Sequence, residues 1–219
     1  MTSNGRTAEF ATARRRSFQE SGCESVQDIL NIAATAEAFA VTALGGALES
    51  AADGTLALSE EAIQSLQAAR AAEQAHYEFL IDNGAEPLTT TFTIPDEALL
   101  TDPATFLTTL ITLEEAFIAA YIAAAQQFVA QGEDKLARVA LQIGAVEAEH
   151  RAGVRFFAIE AGVIEGVPND VAFEQALYGS VSEAAAALEE LGFIDGEGTE
   201  VEYPGPGEID MELVRNREP

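Results

Sequence analysis

The chain has only two histidines, His76 and His150, and each follows a glutamate by three: Glu73 in "AAEQAHYEFL" and Glu147 in "GAVEAEHRAG". Residues three apart on a helix share a face, offset by roughly 60° around the axis and ~4.5 Å along it. Each pair therefore offers one carboxylate and one imidazole to the same centre. Carboxylate oxygens with two imidazoles suit Fe or Mn, ions that cycle between oxidation states against O2 or H2O2. A single Glu-x-x-His is a weak signal. Glutamate is about one residue in eight here, so both histidines would follow one at that offset by chance about once in 60.

The elements that must position these pairs are four long helical segments. The first runs from about Val26 to Ser50, and the second starts after Ser59, an N-cap followed by two glutamates, and stops at "DNG" (82–84). The third begins at "TDPATF", where Thr101 or Asp102 can cap and Pro103 suits the first turn, and ends at Gly132. The fourth runs from near Glu133 to Gly162. Each carries an apolar stripe with alternating spacings of four and three. The stripes read Leu30, Ala34, Glu37, Val41, Leu44, Leu48; Ala62, Leu66, Ala69, Glu73, His76, Leu80; Leu107, Ile111, Glu114, Ile118, Tyr121, Ala125, Phe128; and Leu136, Ala140, Ile143, Glu147, His150, Val154, Phe157.

Every stripe is apolar except near its middle, where it carries a glutamate. Four carboxylates facing one core would repel one another and lose their hydration, a cost that bound cations remove. Two Glu-x-x-His pairs with a glutamate from each remaining helix make a dinuclear metal set, here Glu37, Glu73, His76, Glu114, Glu147 and His150, for two Fe or two Mn ions. Glu73 and Glu147 are placed to bridge, and Glu37 and Glu114 to bind terminally. Glu115 competes with Glu114, because "EAF" recurs at 37–39 and 115–117. The stripe favours Glu114, since position 115 falls beside Thr108, Thr112 and Ala119. Tyr121, one heptad past Glu114, is the catalytic candidate: it can hydrogen-bond a ligand carboxylate or act as a redox-active phenol, with a core aromatic as the plain alternative. Arg151 and Arg155 are expected to pair with surface acids, and Tyr77 to pack between helices.

The third and fourth helices join by one short turn and must be antiparallel neighbours. Residues 85–100, "AEPLTTTFTIPDEALL", are long enough to cross the length of a bundle between helices 2 and 3. The fold class expected is all-α: a polar N-terminal extension over 1–25, a four-helix bundle with that long crossover over 26–162, a helix packed on the bundle within 163–191 (about Val171 to Leu191), and an acidic Gly/Pro-rich tail over 192–219, loosely ordered or wrapped along the surface.

Of 219 residues, 11 are basic and 37 acidic, a net charge of -26, which repels nucleic-acid backbones. Hydrophobic residues make up 48% and the mean hydropathy is +0.08, as in a globular chain. Cys23 is the one cysteine, which rules out an internal disulfide and a cysteine-based zinc or iron–sulfur site. Residues 29–48 have transmembrane length, yet Asn31, Thr35, Glu37 and Thr42 interrupt them, and a mid-span glutamate is costly in lipid. A buried helix is expected there. "ARRRSF" (13–18) looks like a twin-arginine export signal, but "QESGCESVQD" follows it where an apolar run belongs. The chain as it stands reads as soluble and cytoplasmic; a functional twin-arginine stub would make it exported. The oligomeric state stays open, a homo-oligomer included.

The stretches "ILNIAATAEAF", "LEEAFIAAYIAAA", "EAEHRAGVRFF" and "VPNDVAFEQAL" resemble the ferritin-like superfamily, in the branch that includes plant desiccation-related proteins. The resemblance spans about residues 26–191. It implies a ferritin-like four-helix bundle around a di-iron or di-manganese site on the six residues named. Members often begin with a twin-arginine signal and commonly carry an aromatic where Leu44 stands. Activity is left between an oxidoreductase acting on O2 or H2O2 (ferroxidase, peroxidase or catalase-like, in stress protection), a metal-binding or storage protein without turnover, and a desiccation-protective structural bundle.

Overall fold

The protein is described from a computed structural model, over residues 24–207 and 209–219. Residues 1–23, which include the 13–18 stretch and Cys23, lie outside the described residues. Helix α1 (Val26–Ala52) opens with a capping box: Ser25 accepts from the Asp28 N–H while the Asp28 carboxylate accepts from the Ser25 N–H. Helix α2 (Glu60–Asp82) is capped by Ser59. Helix α3 (Pro103–Gln131) is capped by Asp102, with Pro103 in its first turn, and it ends at Gly132, whose φ of 84° needs the left-handed region that glycine occupies freely. Helix α4 (Asp134–Glu160) follows directly.

The four helices form the expected bundle. Helix α1 packs chiefly on α2 and α3 chiefly on α4, so each hairpin is one unit, and the hairpins meet through α1–α3 and α2–α4. Apolar clusters fill both ends. One joins Ile29, Leu30, Leu80, Phe128 and Ile143; the other joins Leu44, Leu66, Phe106, Leu107 and Val154. The charged residues of the four stripes lie at the level between them. Helices α1 and α3 are long and apolar enough to cross a membrane by composition, yet most of each apolar window is buried inside the bundle. They are its core helices.

The crossover holds a short strand, β1 (Thr91–Ile94), which pairs antiparallel with β2 (Thr199–Glu202) from the tail. The tail therefore wraps the surface and is stitched to it. Phe193 packs on Phe39 with ring centroids 4.9 Å apart, Tyr203 packs on Tyr77 at 4.7 Å, and the Tyr203 hydroxyl donates to Gln74 Oε1 at 2.7 Å. A two-stranded sheet is thus added to an otherwise helical fold. Farther on, residues near Met211–Leu213 pack against α2.

The helix expected from Val171 to Leu191 is shorter: α5 spans Val181–Glu190, and residues 171–180 are irregular. Two arginines of α4 account for this. Arg151 grips Glu174 through both guanidinium nitrogens at 2.7 and 2.8 Å. Arg155 holds Asp170 and the carbonyls of Val167 and Pro168. The segment is laid along α4 by these ties, and Ser180 starts the helix afresh by capping Glu183 N–H. A second cap comes from far away in sequence. The Glu24 carboxylate accepts from Val181 N–H at 2.8 Å, Ser182 N–H at 2.6 Å and Gln127 Nε2 at 2.6 Å. A carboxylate at a helix N-terminus satisfies free N–H groups and meets the positive end of the helix dipole.

Replacing Glu24 by alanine is therefore expected to cost about 1–2 kcal/mol locally. Amide exchange should speed up across Val181–Glu190 while the four long helices keep their protection. A second expectation concerns pH. Burial pushes the Tyr203 phenol up to about 12, whereas an unfolded tyrosine titrates near ~10. The neutral phenol's contribution is full below the unfolded value and is lost as pH rises through the window between the two. Exchange in Thr199–Glu202 should accelerate over that window, and Tyr203→Phe should abolish this dependence at a cost of about 1 kcal/mol for the lost hydrogen bond.

Candidate metal centre

Glu37 from α1, Glu73 from α2, Glu114 from α3 and Glu147 from α4 are all buried at one level; Glu73 is 1% exposed and Glu147 is 0%. Glu115 is exposed, as is Glu149, so the apolar stripe identifies the inward carboxylate of each helix. His76 and His150 stand one turn on and are half-buried. Alanines and small residues around the stripes let the helices approach closely enough for the six side chains to meet.

The carboxylates divide between the two imidazoles. Glu73 turns Oε2 toward His76 Nδ1 at 3.2 Å and Oε1 toward His150 Nδ1 at 2.9 Å. Glu147 does the reverse, with Oε1 at 3.4 Å from His76 Nδ1 and Oε2 at 3.3 Å from His150 Nδ1. Glu37 Oε2 lies 3.6 Å from His76 Nδ1. Two overlapping groups result: Glu37, Glu73, His76 and Glu147, and Glu73, Glu114, Glu147 and His150. Within each group the ligand atoms lie within 4.8 Å of one another, close enough to share one ion.

The donor atoms also fit cations. Glu73 Oε1, Glu147 Oε1 and Glu114 Oε2 are buried without an aligned hydrogen-bond donor among the described residues. His150 Nδ1 approaches Glu73 Oε1 to 2.9 Å without the alignment of a hydrogen bond, its ring being paired with Glu147 Oε2. Lone pairs aimed together in a dry core are costly unless a cation lies among them.

Without cations, protons must do the neutralising. Burial first, and then the Glu73 charge, hold Glu37 well above the usual carboxylate range. Burial raises Glu114 likewise, against the opposing pull of His150. Burial also pushes Glu73 upward, but the facing His150 and His76 rings outweigh it and hold that carboxyl below its usual range. For the imidazoles burial works downward, and the charges of Glu37 on His76 and of Glu73 on His150 overcome it, raising both well above an ordinary histidine. The cluster thus binds protons where it lacks other positive charge, and an incoming ion displaces them.

Tyr121 reaches from α3 across the hairpin boundary and donates its hydroxyl to Glu37 Oε1. Burial, then the Glu37 charge, keep that phenol protonated. A Cβ added at Gly144 of α4 would lie 3.2 Å from the Tyr121 Cβ, so the glycine lets α4 pass close beside that residue. A mid-helix glycine costs about 1 kcal/mol, and that cost was the one sequence sign of the contact. The equivalent place one heptad past Glu37 is Leu44, which has no hydroxyl, and Glu114 Oε2 is left without a donor.

Three further features border the site that the sequence did not place there. Gln74, buried beside Glu73, donates to Glu78 and accepts from Tyr203. Arg151, next to His150, is 5% exposed and holds Glu174, which is more deeply set than the surface pairing expected of it. The C-terminal residues Leu213, Arg215 and Arg217 border a cleft of about 680 Å³ between α2 and α4, and both His76 and His150 face into it.

A sequence model of the ferritin-like domain matches residues 25–160, more than half of the chain. No curated protein and no solved structure matches the chain. Bundle, crossover and family match agree, and the chain belongs to the ferritin-like domain family.

Proposed function

We propose that the protein holds two Fe or two Mn ions among Glu37, Glu73, His76, Glu114, Glu147 and His150, and acts as an oxidoreductase on O2 or H2O2, in the manner of a ferroxidase, peroxidase or catalase-like scavenger in stress protection. The observation that carries this reading is the division of the central carboxylates, each with one oxygen toward each histidine. Glu73 and Glu147 would then hold both ions. Glu37 with His76 completes one position and Glu114 with His150 the other. Ions of this kind supply reversible electron transfer against O2 or peroxide.

The chain's own residues do the positioning. Nδ1 of each histidine must be unprotonated to act as a ligand, so ion uptake releases protons and weakens as pH falls. Tyr121 orients Glu37 and keeps a proton on its own oxygen at the edge of the cluster. Apolar clusters on both sides exclude water from the carboxylates, which strengthens every charge interaction among them. The cleft at His76 and His150 gives ions and small oxidants a way in.

Elemental analysis of purified protein tests the site. About two Fe or Mn per chain are expected, with Glu73→Ala losing both and His150→Ala losing at least one; full metal content in Glu73→Ala would sink the assignment. Ferrous iron or peroxide should then be turned over beyond two equivalents. Tyr121→Phe is expected to lower that rate while leaving metal content unchanged. Uptake without turnover would replace the oxidoreductase reading with metal storage. Stability offers a separate measure. Without cations Glu114 must take up a proton to stay buried beside the other carboxylates, a cost glutamine avoids, so the metal-free form of Glu114→Gln should gain about 1–2 kcal/mol over the parent. Mn2+ at a hundredfold excess over its Kd should stabilise the parent by about 2.7 kcal/mol, and the variant by clearly less.

A further inference from the structure

Across the bundle from the histidine cleft, on the α1–α3 side, lies a second cavity of about 170 Å³, roofed by α5 and by the crossover near Leu88. Its walls are apolar. Alanines from three helices, Ala36, Ala120, Ala124 and Ala184 among them, leave space that larger side chains would close. The Tyr121 ring forms part of the wall, while its hydroxyl is turned away to Glu37.

The few polar groups in the lining are already engaged. The Thr35 hydroxyl donates to the Asn31 carbonyl and accepts from Leu88 N–H, both at 2.8 Å. The Thr89 hydroxyl donates to the Thr91 carbonyl and accepts from Thr91 N–H, both at 3.1 Å. Only the exposed carboxylates of Glu189 and Asp195 remain, and they stand at the rim. A water held inside needs two to four polar partners, and the lining side chains of the described residues offer none that is free. An enclosed apolar cavity of ~150 Å³ stays dry and takes up benzene or xenon. The present one is slightly larger and opens on one side, beside the exposed Leu88, Glu189 and Asp195.

We infer that this cavity is a binding site for a small uncharged apolar molecule of about benzene size, seated against the Tyr121 ring. The rim carboxylates turn anions away, and among the described residues no cationic side chain lines the cavity to receive one. A bound molecule would lie directly behind the residue that orients Glu37. The inference does not depend on metal occupancy, because none of the six residues of the centre lines the cavity.

Benzene and benzoate are the probes, titrated separately into the full-length protein, metal-free and metal-loaded, while alanine methyl resonances are followed by NMR. Benzene should give saturable shifts confined to methyls such as Ala120, Ala124 and Ala184, and benzoate should give none. Ala184→Leu and Ala120→Leu, made separately to fill the space, should each weaken benzene binding at least tenfold with helical content unchanged. The parent titration decides by itself if either variant misfolds. No saturable benzene shift, equal binding of benzoate, or full-strength binding in a well-folded filled variant would overturn the inference.

Discussion

Four carboxylates at one level of a dry helical core repel one another, and the rest of the architecture is organised around that repulsion. Burial alone makes each ionised carboxylate expensive, and proximity adds to it. Relief must come from bound cations or from protons, taken up by the imidazoles and by Glu37 and Glu114. The apolar clusters above and below the charged level keep the helices from sliding or splaying to let the carboxylates out to water. Packing energy at the ends thus maintains electrostatic stress in the middle.

The two hairpins contribute equivalent halves, but the halves are not identical. Glu37 has the Tyr121 hydroxyl, whereas Leu44 stands where the matching donor to Glu114 would be. The two faces differ in the same sense. The α2–α4 side presents both imidazoles to an open, partly polar cleft, and the α1–α3 side is closed by Tyr121 and alanine. The result is a centre with a wet side and an oily side, and with two inequivalent positions built on a nearly symmetric frame.

The bundle and its charged level were legible because both rest on periodicity. A spacing of four and three over six turns names the inward face of each helix, and it separated buried Glu114 from exposed Glu115. Caps were legible for the same local reason: Ser59, Asp102 and Pro103 act within their own first turn. What escaped was decided over long sequence separations. Residues 171–180 carry a helical composition, but Arg151 and Arg155 hold the neighbouring segment along α4, and neither contact follows from local pattern. The tail's Gly, Pro and Glu content left a loose or a surface-wrapped segment open, and it could not name the partners that Phe193 and Tyr203 find on α1 and α2. Gln74 carries no local mark of its role, which comes from the Tyr203 hydroxyl of the distant tail.

The pairing of β1 with β2 joins residues more than a hundred positions apart. During synthesis the crossover strand emerges long before its mate, so for most of that time its backbone N–H and C=O groups form a bare sheet edge. Bare edges invite pairing with other chains. The newborn bundle is thus at its most adhesive between the completion of its fourth helix and the arrival of β2, and that strand doubles as the cover that ends the exposure.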